Sequence, residues 1–380
     1  MKIIGLIAEY NPFHNGHLYQ IKKIKELYPD STLIVVLSSS FTQRGDISIL
    51  NKWDKTKIAL DNNIDLVIEL PFTYATQSSD IFAKGAIEIL KNLQIDTLVF
   101  GTERENIKEL ELLADIQINS KEYHTKVKEY LAKGLNYATS TNKALEEITN
   151  IKVDTPNDIL ALSYIKQIKE NNYNITYKNI KRTTSYHGKD KVDNITSASN
   201  IRSLYLANKN IDKLIPFNKN KLYKINMNTY LNILKYKIIT QDTNIKKYQT
   251  IEEGLENRII NSITISNTYE ELIKNIKTKR YTYNKISRIL LHIITDFTKE
   301  EAQNIKIDYI RVLGFNKKGQ NYLNKIKNTL SIPIITSYKK NISKTLDIEL
   351  RITKIYSLFT DLNLIRREYQ KKPIIKENDD

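Results

Sequence analysis

Between Glu9 and His17 the chain reads E-Y-N-P-F-H-N-G-H, and this stretch holds the residue types best suited to chemistry. His14 and His17 bracket a tight turn, where Gly16 lets the backbone come close to a ligand. A helix beginning near His17 would offer unpaired N–H groups and the positive end of its dipole to an anion. Imidazoles placed there can donate hydrogen bonds to triphosphate oxygens and stabilise the charge that develops at the α-phosphorus. That is equipment for adenylyl transfer, which requires positioned positive donors and no protein nucleophile. Two histidines beside a turn can also be coincidence, or can ligate a metal. A metal needs further ligands at definite spacing, and Glu9 is the only close carboxylate. With only 5 histidines in the chain, two so close together after a strand and at a helix start favour the phosphate reading.

The elements that must position this stretch alternate between strand and helix. Lys2–Ala8 is a short apolar run. Thr32–Leu37 (T-L-I-V-V-L) and Asp65–Leu70 (D-L-V-I-E-L) read as buried strands, Thr97–Phe100 as a fourth strand and Tyr177–Arg182 as a fifth. Helical spacing covers His17–Leu27, Lys52–Leu60, Ser78–Leu93, most of 103–170 and Ser197–Ala207. Near-continuous apolar strands separated by helices predict an α/β fold with a parallel sheet covered on both faces. Ligands in such folds collect beyond the carboxyl ends of the strands. After Ile211 the pattern turns helical until a strand at Tyr309–Leu313. This predicts a catalytic α/β domain over 1–215 and a mainly helical domain over 216–380. Lys371–Asp380 reads as a frayed tail.

Charge divides the chain at a similar place. Residues 1–150 carry 17 Lys+Arg against 20 Asp+Glu, a net −3, and residues 151–380 carry 42 against 23, a net +19. That asymmetry predicts a nucleic-acid partner for the later part. Codon bias in a chain rich in Lys, Asn, Ile and Tyr supplies lysines too, but it does not explain why the first part escapes the excess. With no cysteine, a disulfide framework and a thiolate metal site are excluded. No apolar run reaches the ~18 residues of a membrane span, and the N-terminal run is too short for a signal peptide. The expected setting is soluble and cytoplasmic.

The H-x-G-H after the first strand resembles the nucleotidyltransferase superfamily, and the longer A-E-Y-N-P-F-H-N-G-H resembles the tRNA(Met) cytidine acetate ligases. Further blocks match that family in order: F-T-Q-R-G-D at Phe41–Asp46, D-L-V-I-E-L-P at Asp65–Pro71 and T-P-N-D-I-L at Thr155–Leu160. Then come S-A-S-N-I-R at Ser197–Arg202, K-R-Y-T-Y at Lys279–Tyr283 and I-R-V-L-G-F-N at Ile310–Asn316. The resemblance implies a Rossmann-like nucleotidyltransferase domain. It implies a ligase that makes acetyl-adenylate from acetate and ATP, with Mg²⁺ commonly accompanying the ATP. The acetyl group then passes to N4 of the wobble cytidine of elongator tRNA(Met).

Carried onto this chain, the family's ATP site covers Ile7, Ala8, Glu9, Tyr10, Asn11, Pro12, Phe13, His14, Asn15, Gly16, His17, Leu18, Tyr19 and Gln20. It also includes Gly101, Asn157, Arg182, Ser197, Ser199 and Arg202. Each later residue has a reading of its own. Gly101 ends strand four, where a missing side chain admits the adenine or ribose, or simply turns the chain. Asn157 follows Thr155-Pro156 at a helix start, where an N-cap would be structural. Arg182 ends strand five, and a permanently charged guanidinium suits a polyphosphate. Ser197, Ser199 and Arg202 resemble a second phosphate-binding loop, although Asn200 stands where many relatives have Thr. Arg44 and Asp46, candidate catalytic residues with the two histidines, either face the substrate phosphate or the incoming cytidine, or lie in a solvated loop. Lys279, Arg280, Tyr281 and Arg288 are candidates for tRNA, by phosphate neutralisation and base stacking. A basic, Tyr-rich solvated helix is the other reading. No role follows for Tyr186 or His187, and His124 and His292 are expected at the surface or partly packed. A small-molecule adenylyltransferase explains the N-terminal part equally well but leaves the basic region without a role. A non-catalytic RNA-binding protein would not need His14, Gly16 and His17 intact.

Overall fold

A computed structural model describes residues 1–182, 194–240 and 242–377, so Tyr186 and His187 lie outside the described residues. The first part contains strands β1 (Ile3–Ala8), β2 (Thr32–Ser38), β3 (Leu66–Leu70), β4 (Thr97–Thr102) and β5 (Thr176–Lys181). Helices α1 (Asn15–Leu27), α2 (Lys52–Asp61), α3 (Phe72–Ala75) and α4 (Ser79–Asn92) connect the first four. Four more, α5 (Ile107–Asn119), α6 (Lys121–Ala132), α7 (Tyr137–Thr149) and α8 (Pro156–Glu170), fill the long excursion between β4 and β5.

These five strands form a parallel sheet in the order β5-β4-β1-β2-β3. The chain builds outward from β1 through β2 to β3, then returns to the other side of β1 for β4 and β5. The order therefore reverses beside β1, and the crevice at the carboxyl ends of β1 and β4 is where such sheets bind ligands. Side chains alternate across β2. Leu33, Val35 and Leu37 join a core that holds Ile21, Ile24 and Trp53 from α1 and α2. Ile34 and Val36 join a second core with Phe82 and Ile87 of α4 and Ala161 and Ile165 of α8. Burial on both faces explains why β1 to β4 read as continuous apolar runs, while β5, at the sheet edge, is partly exposed.

After α9 (Ala198–Leu206) come α10 (Met227–Thr240), α11 (Leu255–Ile265), α12 (Tyr269–Ile276), α13 (Tyr283–Ile294) and α14 (Lys299–Asn304). Then follow β6 (Ile310–Asn316), α15 (Lys317–Ile326), β7 (Ile334–Ile335), α16 (Lys344–Ser357), α17 (Asn363–Gln370) and β8 (Ile374–Lys376). The strand expected at Tyr309–Leu313 is β6. It runs antiparallel against β3, pairing Val67 with Gly314, and β7 and β8 run parallel to β6, so the sheet is mixed and not wholly parallel. The tail expected to fray from Lys371 instead contains β8, which pairs with Gly314–Asn316 of β6. Ile374 packs against the core there, so the pairing also covers apolar surface. His292, expected at the surface or partly packed, is fully buried in α13 and bonded to the carbonyls of Thr76 and Gln249.

Candidate active site

His14 caps α1. Its Nδ1 accepts from the Gly16 N–H at 3.0 Å, while the His14 N–H donates to Nδ1 of His17 at 3.2 Å. Two imidazoles thus make a reciprocal cap of the kind usually built from Ser or Thr and Glu. The bonding assigns the tautomer: each Nδ1 is an acceptor, so each neutral ring carries its proton on Nε2. Burial, with Arg182 nearby, lowers the His14 pKa to about 3. Burial, His14 and Arg182 hold His17 well below its usual value. The rings stack at 3.8 Å, and Tyr10 and Phe13 pack on His17 with centroids at 4.8 and 5.5 Å. The expectation of unpaired N–H groups at the helix start is therefore corrected. The N–H groups of Asn15, Gly16, His17 and Leu18 are all bonded within the protein, and what the rings offer is a pair of neutral Nε2–H donors.

Both rings line a cavity of about 460 Å³ beyond the carboxyl ends of the strands. Ile7, Ala8, Glu9, Tyr10, Asn11 and Gln20 line it as well. Phe13 lies beneath His17, and Asn15 ties α1 to the carbonyls of Asn194 and Lys213. Pro12, Gly16, Leu18 and Tyr19 stand outside the lining. Gly16 still matters, because a Cβ there would come within 2.8 Å of the His14 ring.

The loop after β2 forms the next wall. Lys55, fully buried, donates to the carbonyls of Ser38 and Ser39 at 3.0 and 2.8 Å and fixes the strand end. Its own burial lowers its pKa to about 7. Glu9 accepts from the Gln43 N–H at 2.6 Å, and burial raises its pKa. Arg44 and Asp46 both line the cavity. Arg202 draws three motifs together: it donates to the Asn11 carbonyl at 2.8 Å, lies 3.3 Å from Asp46 and reaches Ser199 Oγ at 3.4 Å. Ser197 caps α9, accepting from the Asn200 N–H, and the Asn200 amide donates to Thr196 Oγ1 at 2.9 Å. The departure at Asn200 is thus absorbed in the cap.

Opposite these, Gly101 and Arg182 end neighbouring strands and line the cavity. Asn157 is not the N-cap of α8, which is Thr155; its amide donates to Glu103 Oε1 at 2.6 Å. The same oxygen lies 3.5 Å from Arg182 Nε. Glu103 is thus a positioning residue absent from the sequence reading, although a carboxylate just past a strand facing a lone Arg could have signalled it.

The later basic residues separate. Arg288 lines the cavity and donates to the Gln43 carbonyl at 3.2 Å, and burial lowers its pKa to about 10. Lys279 and Arg280 are exposed on the approach to α13, with Arg280 3.4 Å from Glu252. Tyr281 is buried beneath Lys285, whose Nζ stands 5.1 Å from its ring. Among the described residues no group of three or more His, Cys, Asp or Glu gathers as a metal site. The cavity carboxylates Glu9, Asp46 and Asp80 each face a protein donor or cation, so they offer no converging set for Mg²⁺. No helix among the described residues is long and apolar enough to cross a membrane.

A family model described as HIGH Nucleotidyl Transferase matches residues 1–372. A tRNA(Met) cytidine acetate ligase of Clostridium kluyveri is 38% identical over 405 aligned residues, covering 99% of each chain. One from Bacillus subtilis is 35% identical, covering 100% of this chain and 99% of that one. The apo crystal structure of Thermotoga maritima TmcAL superposes with a TM-score of 0.90 at 27% identity, and the form bound with alpha-thio ATP with 0.87 at 26%, each covering 100% of both chains. The chain belongs to the HIGH nucleotidyl transferases and, within them, to the tRNA(Met) cytidine acetate ligase family.

Proposed function

We propose that the chain joins acetate to elongator tRNA(Met) at the expense of ATP, in the cytoplasm where that RNA resides. The observation that carries this reading is the His14–His17 pair capping α1 at the sheet's switch point, in a cavity lined by four arginines. ATP would lie with its phosphates between α1 and the arginines and its nucleoside beside Gly101 and Asn157. A magnesium ion, where one accompanies ATP, would be held through the phosphates.

An acetate oxygen attacks the α-phosphorus, and the bond to the pyrophosphate oxygen breaks. The Nε2–H groups of His14 and His17 stabilise the charge on the α-phosphoryl oxygens without being charged themselves. Arg182 and Arg202 neutralise the leaving pyrophosphate, and Arg44 and Arg288 orient the acetate side. Neutral donors suit this task, since no proton has to move in the first step. In the second step the N4 lone pair of cytidine attacks the acetyl carbon. The C–O bond to AMP breaks and one N4 proton is released. Residues 1–215 supply most of the activating groups, and residues 216–380, which carry most of the positive charge, hold the tRNA.

The test is acetate-dependent exchange of pyrophosphate into ATP, followed by mass spectrometry of the wobble nucleoside after tRNA(Met) is added. Exchange that requires acetate, then N4-acetylcytidine, supports the reading. Exchange that ignores acetate and requires a phosphorylated metabolite would make the protein a small-molecule adenylyltransferase.

A further inference from the structure

The cavity extends past the nucleotide motifs. Beyond Glu9 and Phe100 it continues between α4, α7 and α8, where Asp80, Tyr137, Asn142, Ser163 and Lys166 line it. At its mouth two helices start side by side. Asn136, which caps α7, donates through its side-chain amide to the Lys279 carbonyl at 3.3 Å, just before α13. The first residue of each helix is a tyrosine, and both rings face solvent: Tyr137 is 54% exposed and Tyr283 44%. Lys279 and Arg280 are exposed too, and the Lys279 carbonyl is the group tied to Asn136 at the start of α7. Inside, Asp80 and Lys166 are 3.7 Å apart, too far for a hydrogen bond between them.

An aromatic face at a cavity mouth, cations nearby and paired polar groups within are the parts that receive an unstacked base. The amine to be acylated has to leave the anticodon stack to reach an adenylate inside the protein. We propose that this outer lobe receives the wobble cytosine, stacked on Tyr137, with Asp80 and Asn142 at its hydrogen-bonding edge. This rests on the acetate–tRNA reading and adds the pocket for the acceptor. A carboxylate accepts from the N4 amine, and the Asn142 amide donates to N3 or O2. Uracil presents O4 in place of the amine and N–H in place of N3, so the same pair disfavours it. Lys279 and Arg280 take phosphates on either side of the flipped nucleotide.

The experiment uses the full-length protein and an anticodon stem-loop RNA with cytidine or uridine at the wobble position. Wild-type protein must first show acetate-dependent pyrophosphate exchange without RNA; failure there sinks the functional reading itself. Given exchange, Tyr137→Ala should lower kcat/KM for the cytidine RNA roughly tenfold to hundredfold, the size of one base–aromatic stack. Exchange should stay within about threefold of wild type. Tyr137→Phe should restore transfer, because the ring and not the hydroxyl carries the contact. Asn142→Ala is the second variant, expected to lose transfer with exchange retained. If Tyr137→Ala lowers exchange as much as transfer, the lobe belongs to ATP and the proposal is overturned. Wild-type transfer in both alanine variants overturns it as well.

Discussion

At the scale of residues, the two histidines take their chemical state from each other. Each Nδ1 is consumed by a backbone N–H of the helix start, which leaves Nε2–H as the donor to substrate. His14→Ala and His17→Ala should each cost about 10²–10³ in exchange rate. The double variant should cost little more, because the rings act as a unit. Gly16→Ala tests the geometry without touching a donor. Its Cβ would press on His14 Cε1 at 2.8 Å, so exchange should fall at least about tenfold, the scale of a small misplacement, while the protein stays folded. The depressed pKa also has a sign. His14 titrates near 3 folded and near 6.5 unfolded. Below pH 6.5 the unfolded chain therefore binds the extra proton, and stability is lost as pH falls towards 3. Between pH 6.5 and 5 this amounts to about 2 kcal/mol from His14. Urea unfolding of wild type and His14→Asn at both pH values measures it. A stability gap that does not change with pH would mean that the ring is charged in the folded protein.

At the scale of elements, the loop from β2 to α2 is held by a helix more than 200 residues later in the chain. Gly45 has φ +86°, and a Cβ there would meet the Arg288 N and Ser287 carbonyl carbon, both at 2.8 Å. Arg288 reaches from the same turn to the Gln43 carbonyl. Gly45→Ala should therefore destabilise the protein by about 1–3 kcal/mol and lower exchange by moving Arg44 and Asp46. Arg288→Ala should lower exchange without RNA, and Lys279→Ala should leave it unchanged. Equal exchange in the two variants would return Arg288 to the tRNA surface. This long-range contact is what the sequence hides. Strands β1 to β4 were legible because each is buried on both faces and carries its own apolar run, whereas β5 is a partly exposed edge strand of mixed sequence. The histidine pair was legible because strand, turn and helix are contiguous. Arg288 stands beside the basic K-R-Y-T-Y block in sequence, yet the first turns of α13 carry it inward while Lys279 stays outside. Glu103, Lys55 and the lobe around Tyr137 owe their places to packing between distant segments, which leaves no local period. Strand β8 was misread because its two apolar residues, Ile374 and Ile375, are too short a run to show a strand period and are set among charged residues.

At the scale of the whole molecule, charge works in two ways. Buried charge closes the fold: Lys52 of α2 lies 2.8 Å from Glu69 of β3 and 2.9 Å from Glu368 of α17, and Arg311 of β6 lies 2.6 Å from Glu368. Removing Glu368 leaves two buried cations, Lys52 and Arg311, to share Glu69, an uncompensated buried positive charge, so Glu368→Ala should destabilise by about 3–5 kcal/mol in denaturant unfolding. A smaller effect would mean that water reaches the cluster. Exposed charge faces outward, and its distribution, −3 for residues 1–150 and +19 for 151–380, bears on how tRNA is held. Each phosphate neutralised by Lys or Arg releases condensed counterions, so log Kd should rise linearly with log salt, by roughly 0.7–0.9 per contact. Lys279→Ala with Arg280→Ala should weaken tRNA binding at low salt and lower that slope by up to about two contacts. The Arg280–Glu252 pair is no obstacle, because an exposed pair is worth at most about 1 kcal/mol. Arg288→Ala should leave the slope nearly unchanged, since its guanidinium lies inside the cavity. Binding measured across a salt series for the double variant and for Arg288→Ala decides the matter. A steep slope unchanged in the double variant would move the tRNA contact to another part of the basic region. A shallow slope in the wild type would mean that the excess lysines are not there for RNA at all.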